Sequence, residues 1–138
     1  MNSHRVQPIS NVSTPPIHFL KFHPSYLISL QFTASWCPPC RKMVPHLTEL
    51  QKKFPNVKMI GVSEENQSQF TRFVFTPEAG YDFTAVVDSC GALDAYRSKY
   101  KISGIPHCIV IEKGRVVFSG HPAEPGFDSL IAAISERN

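Results

Sequence analysis

The sequence predicts an α/β domain in which a central mixed sheet carries helices on both faces. Three observations predict it. Segments of strand and helix periodicity alternate along the chain as β-β-α-β-α-β-α-β-β-α. The last two strand segments are joined by a tight Lys113-Gly114 turn and followed by a helix, so the sheet includes an antiparallel hairpin. The 138 residues, 42% apolar and 18% charged, suit one globular domain. A domain of this length buries roughly two-thirds of its unfolded surface and needs no metal or disulfide staple.

The elements follow in order. Residues 1–16 are rich in Ser, Asn and Pro and read as a flexible N-terminal tail, leaving residues 17–138 as the domain. Residues 17–22 alternate apolar and polar and predict a short strand, ended by the His23-Pro24-Ser25 turn. Residues 26–33 predict a second strand, apolar enough for the middle of a sheet. After Cys37 the period changes: Val44, Leu47, Leu50 and Phe54 recur at helical spacing, with Pro38 and Pro39 in the first turn, where missing N–H groups cost nothing. Pro45 falls inside this helix and predicts a kink. Further strands are expected at residues 57–62, 83–87, 107–112 and 115–119. Further helices are expected at residues 67–75, 92–100 and 127–135, the last with Asp128 in its first turn.

Composition excludes several functions. The formal charge is +3 and no run of Lys or Arg concentrates it, which argues against a nucleic-acid or anionic-membrane partner. The longest apolar stretch, residues 26–32, includes Ser29 and Gln31 and falls far short of the ~20 residues of a membrane span. Residues 1–16 lack the apolar core of a secretory signal. The cysteines Cys37, Cys40, Cys90 and Cys108 do not form a secreted disulfide framework, so a soluble cytoplasmic protein is expected.

The strongest chemical signal is Trp36-Cys37-Pro38-Pro39-Cys40 at a strand-to-helix junction. A thiolate is the reactive form of cysteine, and a helix N-terminus stabilises it through the dipole and free N–H groups. One helical turn returns Cys40 to bonding distance of Cys37. Cys37, on the outer side of the turn, would attack a substrate disulfide, and Cys40 would resolve the mixed disulfide. The two prolines remove N–H groups that could stabilise the thiolate, which predicts a reducing couple.

Over roughly residues 17 to 135 the chain resembles the thioredoxin-like superfamily, in particular its TlpA/ResA-type branch. The tryparedoxin and nucleoredoxin group, which shares the W-C-P-P-C-R core, is second. The resemblance rests on the run from Phe32 to Lys42, on Pro45, on Ile60-Gly61-Val62-Ser63, and on Tyr100-Lys101-Ile102-Ser103-Gly104-Ile105-Pro106. It implies a thioredoxin fold with a helical insert over residues 64–88. It implies that the Ile105–Pro106 bond is cis and faces the cysteines, that the Ile105 backbone pairs with a substrate segment, and that Pro106 keeps metals off the dithiol. Trp36 would shield the disulfide and form part of the docking surface. No cofactor is implied. The expected partners are disulfide-containing proteins or small molecules and an upstream reductase or dithiol donor, with the protein itself a monomer.

Two positions depart from the family pattern. A buried Asp six residues before the first cysteine is Gln31 here, and a Glu three residues after the second is Met43. Neither can ionise. His107, directly after Pro106, has a suitable unperturbed pKa to move the Cys40 proton instead, or it packs beside the site. Cys108 in an apolar strand reads as a small hydrophobe, and Cys90 as an exposed thiol open to glutathionylation or dimerisation. His18, His23 and His46 show no ligand spacing. Two other functions stand beside disulfide reduction: a metal-binding dithiol using Cys37, Cys40, Cys108 and His107, and a non-catalytic adaptor.

Overall fold

A computed structural model describes residues 6–8, 26–88 and 91–138. The strand expected over residues 17–22, the turn after it, His18, His23 and Cys90 lie outside the described residues. In chain order the elements are β1 (Val6–Pro8), β2 (Leu27–Thr33), α1 (Pro38–Lys53), β3 (Val57–Ser63), α2 (Gln67–Val74), β4 (Thr84–Val87), α3 (Asp94–Lys99), β5 (His107–Glu112), β6 (Arg115–Gly120) and α4 (Pro125–Arg137). A single 3-10 turn, Pro77–Ala79, precedes β4.

One mixed sheet has the spatial order β1-β4-β3-β2-β5-β6. β1, β4, β3 and β2 run parallel, and β5 and β6 close the other side antiparallel. β2 is the centre, with Leu27 to Phe32 buried. Its side chains alternate between two cores, as a strand covered on both faces requires. Leu27 belongs to the face covered by α1, α2 and α4, with Val44, Leu47, Phe70, Val74, Phe127 and Ile131. Ile28, Leu30 and Phe32 belong to the opposite face, with Leu93, Ile109 and Tyr96 of α3.

Two expectations need correction. Val6–Pro8, inside the segment read as a tail, pairs in parallel with β4 in the register Val6 to Ala85 and Pro8 to Val87. The edge of β4 offers unpaired N–H and C=O groups, and backbone pairing makes little demand on side chains. Residues 64–88 are not wholly helical: they contain α2, the 3-10 turn and β4, so this segment widens the sheet as well as covering it. As expected, Pro45 falls inside α1, which runs from Pro38 to Lys53. An interior proline costs about 3 kcal/mol, whereas Val44, Leu47 and Leu50 around it are all buried, each contributing about 1.5–3 kcal/mol. Packing wins.

The C-terminal end of α4 is tied to β5. Glu112 accepts hydrogen bonds from Arg137 Nε at 2.9 Å, Arg137 Nη2 at 2.6 Å and Asn138 Nδ2 at 2.7 Å. These bonds, Arg137's first and then Asn138's, hold its carboxyl well below the ordinary 4.5, at about 2. Because the folded state favours the ionised form, the contribution is complete above pH 4.5 and is lost as pH falls through about 2. Acidification across that window is expected to loosen the end of α4. In Arg137→Ala the Glu112 carboxyl, followed by NMR, is expected to titrate closer to 4.5; an unmoved midpoint contradicts this role for Arg137.

Candidate active site at the start of helix α1

The turn between β2 and α1 builds the site. Pro38 and Pro39 occupy the first two helical positions and have no N–H to satisfy. The first free N–H of the helix is therefore that of Cys40, and it points to Cys37 Sγ at 3.3 Å. Cys37 is the N-cap residue, its sulfur standing where Ser or Asp oxygen usually stands. Cys37 and Cys40 are joined by a disulfide with their Cα atoms 5.2 Å apart.

Both cysteines are almost fully covered, but they face different surroundings. Cys37 lines an open groove of about 670 Å³ together with Trp36, Glu64, Ile102 and Ile105. Cys40 lines a small internal cavity beneath α1, with Gln31, Met43 and Pro106. Trp36 is 64% exposed at the rim of the groove, positioned to touch whatever docks there. The Ile105–Pro106 peptide is cis. Ile105 packs against Ala34, Cys37 and Cys40, and its carbonyl oxygen lies 3.7 Å from Cys37 Sγ. In the reduced protein the Cys37 thiol can donate to that oxygen, which favours the protonated form and opposes the helix N-terminus.

Glu65, which the sequence reading passed over, holds the approach to the site. Its carboxylate accepts from Ser35 N and Ser63 Oγ, both at 2.7 Å, and from the Ser35 hydroxyl. The loop preceding Trp36 is thereby fixed to the end of β3. Tyr81 was also missed. Its loop is clamped to α1, where Thr48 Oγ1 donates to the Gly80 carbonyl at 2.6 Å and accepts from Asp82 N at 3.0 Å. Gly80 takes the left-handed conformation, φ 68°, that lets the chain turn there. One sequence signal pointed to Tyr81: Gly61 stands inside β3, and a glycine within a strand marks a close approach. A Cβ on Gly61 would collide with the Tyr81 hydroxyl.

The proposed proton carrier does not meet the cysteines. His107 and Cys108 are neighbours on β5 and therefore face opposite sides of the sheet. His107 pairs with Phe32 in register, and its Nε2 sits 2.9 Å from Ser119 Oγ on β6. Burial lowers its pKa, Glu124 acts in the raising direction and His121 in the lowering one. Cys108 is wholly buried on the face covered by α1 and α4, and burial pushes its thiol far up, so it stays neutral. Cys37, Cys40, Cys108 and His107 thus do not converge as metal ligands. Among the described residues no group of three or more His, Cys, Asp or Glu is placed to hold a metal. His46 pairs with Asp128 of α4, 2.8 Å away. No described helix is long and apolar enough to cross a membrane.

The comparisons with known proteins agree with this geometry. Residues 26–117 match the family model described as thioredoxin-like, and the chain belongs to that family. It is 32% identical over 91 residues to thioredoxin H5 of Arabidopsis thaliana, covering 66% of this chain and 55% of that protein. It is 34% identical over 94 residues to the sporulation thiol-disulfide oxidoreductase A of Bacillus subtilis (strain 168), covering 63% and 54%. The chain spans about half the length of these curated relatives. Among solved structures, a thiol:disulfide interchange protein of the thioredoxin family from Chlorobium tepidum TLS superposes with a TM-score of 0.69 at 22% identity, over 85% of this chain and 83% of that one. That likeness is one of fold.

Proposed function

We propose that this chain is a thiol–disulfide oxidoreductase that reduces protein or small-molecule disulfides, with Cys37 attacking and Cys40 resolving. The observation that carries this reading is the different outlook of the two sulfurs: Cys37 lines the open groove and Cys40 the interior. A substrate disulfide approaching past Trp36 meets Cys37 first. The mixed disulfide then lies within reach of Cys40, one helical turn away. The relatives' names, thioredoxin and thiol-disulfide oxidoreductase, support the same chemistry.

The direction is proposed to be reduction. The Cys37 thiolate has one helical N–H, that of Cys40, within reach, and the Ile105 carbonyl beside it favours the thiol. A weakly stabilised thiolate makes a less oxidising couple. Such a protein draws electrons from an upstream reductase or dithiol donor and suits the cytoplasm, where disulfides are kept reduced. It is proposed to act as a monomer.

The deciding measurement is the midpoint potential of the Cys37–Cys40 couple, found by equilibration in dithiol redox buffers and mass counting of alkylated thiols. A single two-electron transition between roughly −230 and −300 mV is expected. A value above about −180 mV overturns the reducing direction. A pair that does not cycle overturns the oxidoreductase reading and leaves the adaptor in its place.

A further inference from the structure

The interior side of the site holds two polar atoms without a partner. Gln31 Oε1 and the Tyr81 hydroxyl are buried and make no hydrogen bond among the described residues. Gln31 is 3% exposed and Tyr81 8%. Both residues line the cavity behind Cys40, whose volume is about 10 Å³. A single water needs roughly this much space, together with two or more polar partners.

Their placement follows from strand register. On the face covered by α1, Gln31 of β2 pairs with Gly61 of β3 on one side and with Cys108 of β5 on the other. Gly61 has no side chain, and the tip of Tyr81 occupies the space a Cβ would need. The phenol is thereby brought over the sheet beside Gln31. Its ring is held by stacking on Phe83, 4.1 Å between centroids, and by edge contacts with Phe70 and Phe73, each at 6.2 Å. The Gln31 amide is oriented by its own bond, Nε2 donating to Ser29 Oγ at 2.6 Å. The Tyr81 ring is thereby fixed in place, and the Gln31 side chain also meets the buried Cys108 thiol opposite it on β5, which burial keeps protonated.

We propose that Gln31 Oε1 and the Tyr81 hydroxyl hold one buried water behind Cys40, and that this water donates a hydrogen bond to Cys40 Sγ, making Tyr81 and Gln31 positioning residues for the resolving thiol. The donor count closes. The water accepts from the Tyr81 O–H, gives one hydrogen to Gln31 Oε1, which can only accept, and gives the other to the sulfur. Burial raises the Tyr81 pKa well above the ordinary range, so the phenol stays protonated and remains a donor. Among the cavity's lining residues only Cys40 and Tyr81 titrate, and none is a carboxylate. A neutral donor network therefore stands behind the resolving thiol.

This role rests on the oxidoreductase reading. In the first displacement the Cys37 thiolate attacks the substrate disulfide, forming the mixed disulfide and releasing one substrate thiolate. That thiolate takes, through solvent, the proton Cys40 must lose. The Cys40 thiolate then attacks Cys37 Sγ, forming the Cys37–Cys40 bond and releasing the second substrate thiolate, which is protonated by solvent. Two electrons pass from the dithiol to the substrate. The buried water is unchanged, and a hydrogen bond to the charged sulfur makes Cys40 the stronger acid.

The test is Tyr81→Phe, which removes only the hydroxyl. In reduced protein labelled at cysteine Cβ, the NMR titration of Cys40 is expected to move up by about one pH unit, a tenfold weaker acid. Resolution of a mixed disulfide preformed on Cys37 is expected to slow by about threefold at pH 7, the tenfold loss of thiolate being partly offset by its greater nucleophilicity, while alkylation of Cys37 stays within about twofold. Gln31→Leu is expected to shift Cys40 in the same direction and serves if the first variant does not fold. A crystal structure of the wild-type protein is expected to show a water within hydrogen-bond reach of Tyr81 and Gln31. A dry cavity, or an unmoved Cys40 titration with Tyr81→Phe more stable than wild type, overturns the proposal, because an unpartnered hydroxyl is a cost that Phe relieves. In that case the wild-type dithiol still cycles, whereas failure of the oxidoreductase reading shows as a pair that does not cycle at all.

Discussion

Cys37→Ser is expected to lower disulfide reduction by more than roughly a thousandfold, to the background of the assay, because removing a nucleophile removes the step and not merely its efficiency. Cys40→Ser is expected to fail differently. Cys37 faces the groove and keeps its attack, so the variant should accumulate a stoichiometric mixed disulfide with substrate, visible by mass as the protein plus one substrate half. The asymmetry follows from where the sulfurs point, Cys37 to the groove and Cys40 to the cavity. It also follows from the turn itself: Cys37 caps the helix from outside while Cys40 is already in the first turn. Trapping on Cys40 in the Cys37→Ser variant, with none on Cys37 in Cys40→Ser, would reverse the assigned roles.

Asp88→Ala is expected to destabilise the fold by about 3 kcal/mol, read as a lower urea midpoint with an unchanged slope. The Asp88 side chain is fully buried at the end of β4, and its carboxylate accepts from Ala92 N at 2.7 Å and Leu93 N at 3.0 Å. It thereby satisfies the N–H groups at the entry to α3, which has no side-chain cap of its own. Its Oδ2 also meets Arg97 Nη1 at 2.8 Å, and Arg97 lies over the Phe32 ring at 5.1 Å. Removing the carboxylate leaves two backbone donors and a largely covered guanidinium without their main partner. Asp94, also bonded to Arg97 but mostly exposed, is the control. Asp94→Ala is expected to cost about 1 kcal/mol at most, since solvent screens an exposed pair. Equal losses in the two variants would show that burial does not set the strength of this network.

The elements that were legible in the sequence are those with a strong local pattern. β5 covers the expected residues 107–112, its apolar run Cys108 to Ile111 extended by one residue at each end, and α1 begins at Pro38 because two prolines and a capping residue can sit together only in a first turn. The Cys37–Cys40 pair needed no tertiary information, because one helical turn sets its spacing. The misreadings share a cause as well. β1 is held by backbone pairing with an edge strand, which leaves no side-chain period to read. His107 was assigned to the site from its position next to Pro106, but strand alternation turns its ring to Ser119. Glu65 and Tyr81 were missed because their partners, Ser35 and the Gly61 row, lie 30 and 20 residues away in the chain.

By itself the sequence determined the fold class, the dithiol and the order of attack expected of it, since propensity, capping and one-turn spacing are local properties of neighbouring residues. The tertiary structure alone decided what stands behind Cys40. Sheet register sets Gln31 beside Gly61, the missing Cβ admits the Tyr81 hydroxyl, and α1 closes over both. Such an arrangement depends on which strands become neighbours, and pairing between distant segments is governed by the packing of the whole domain.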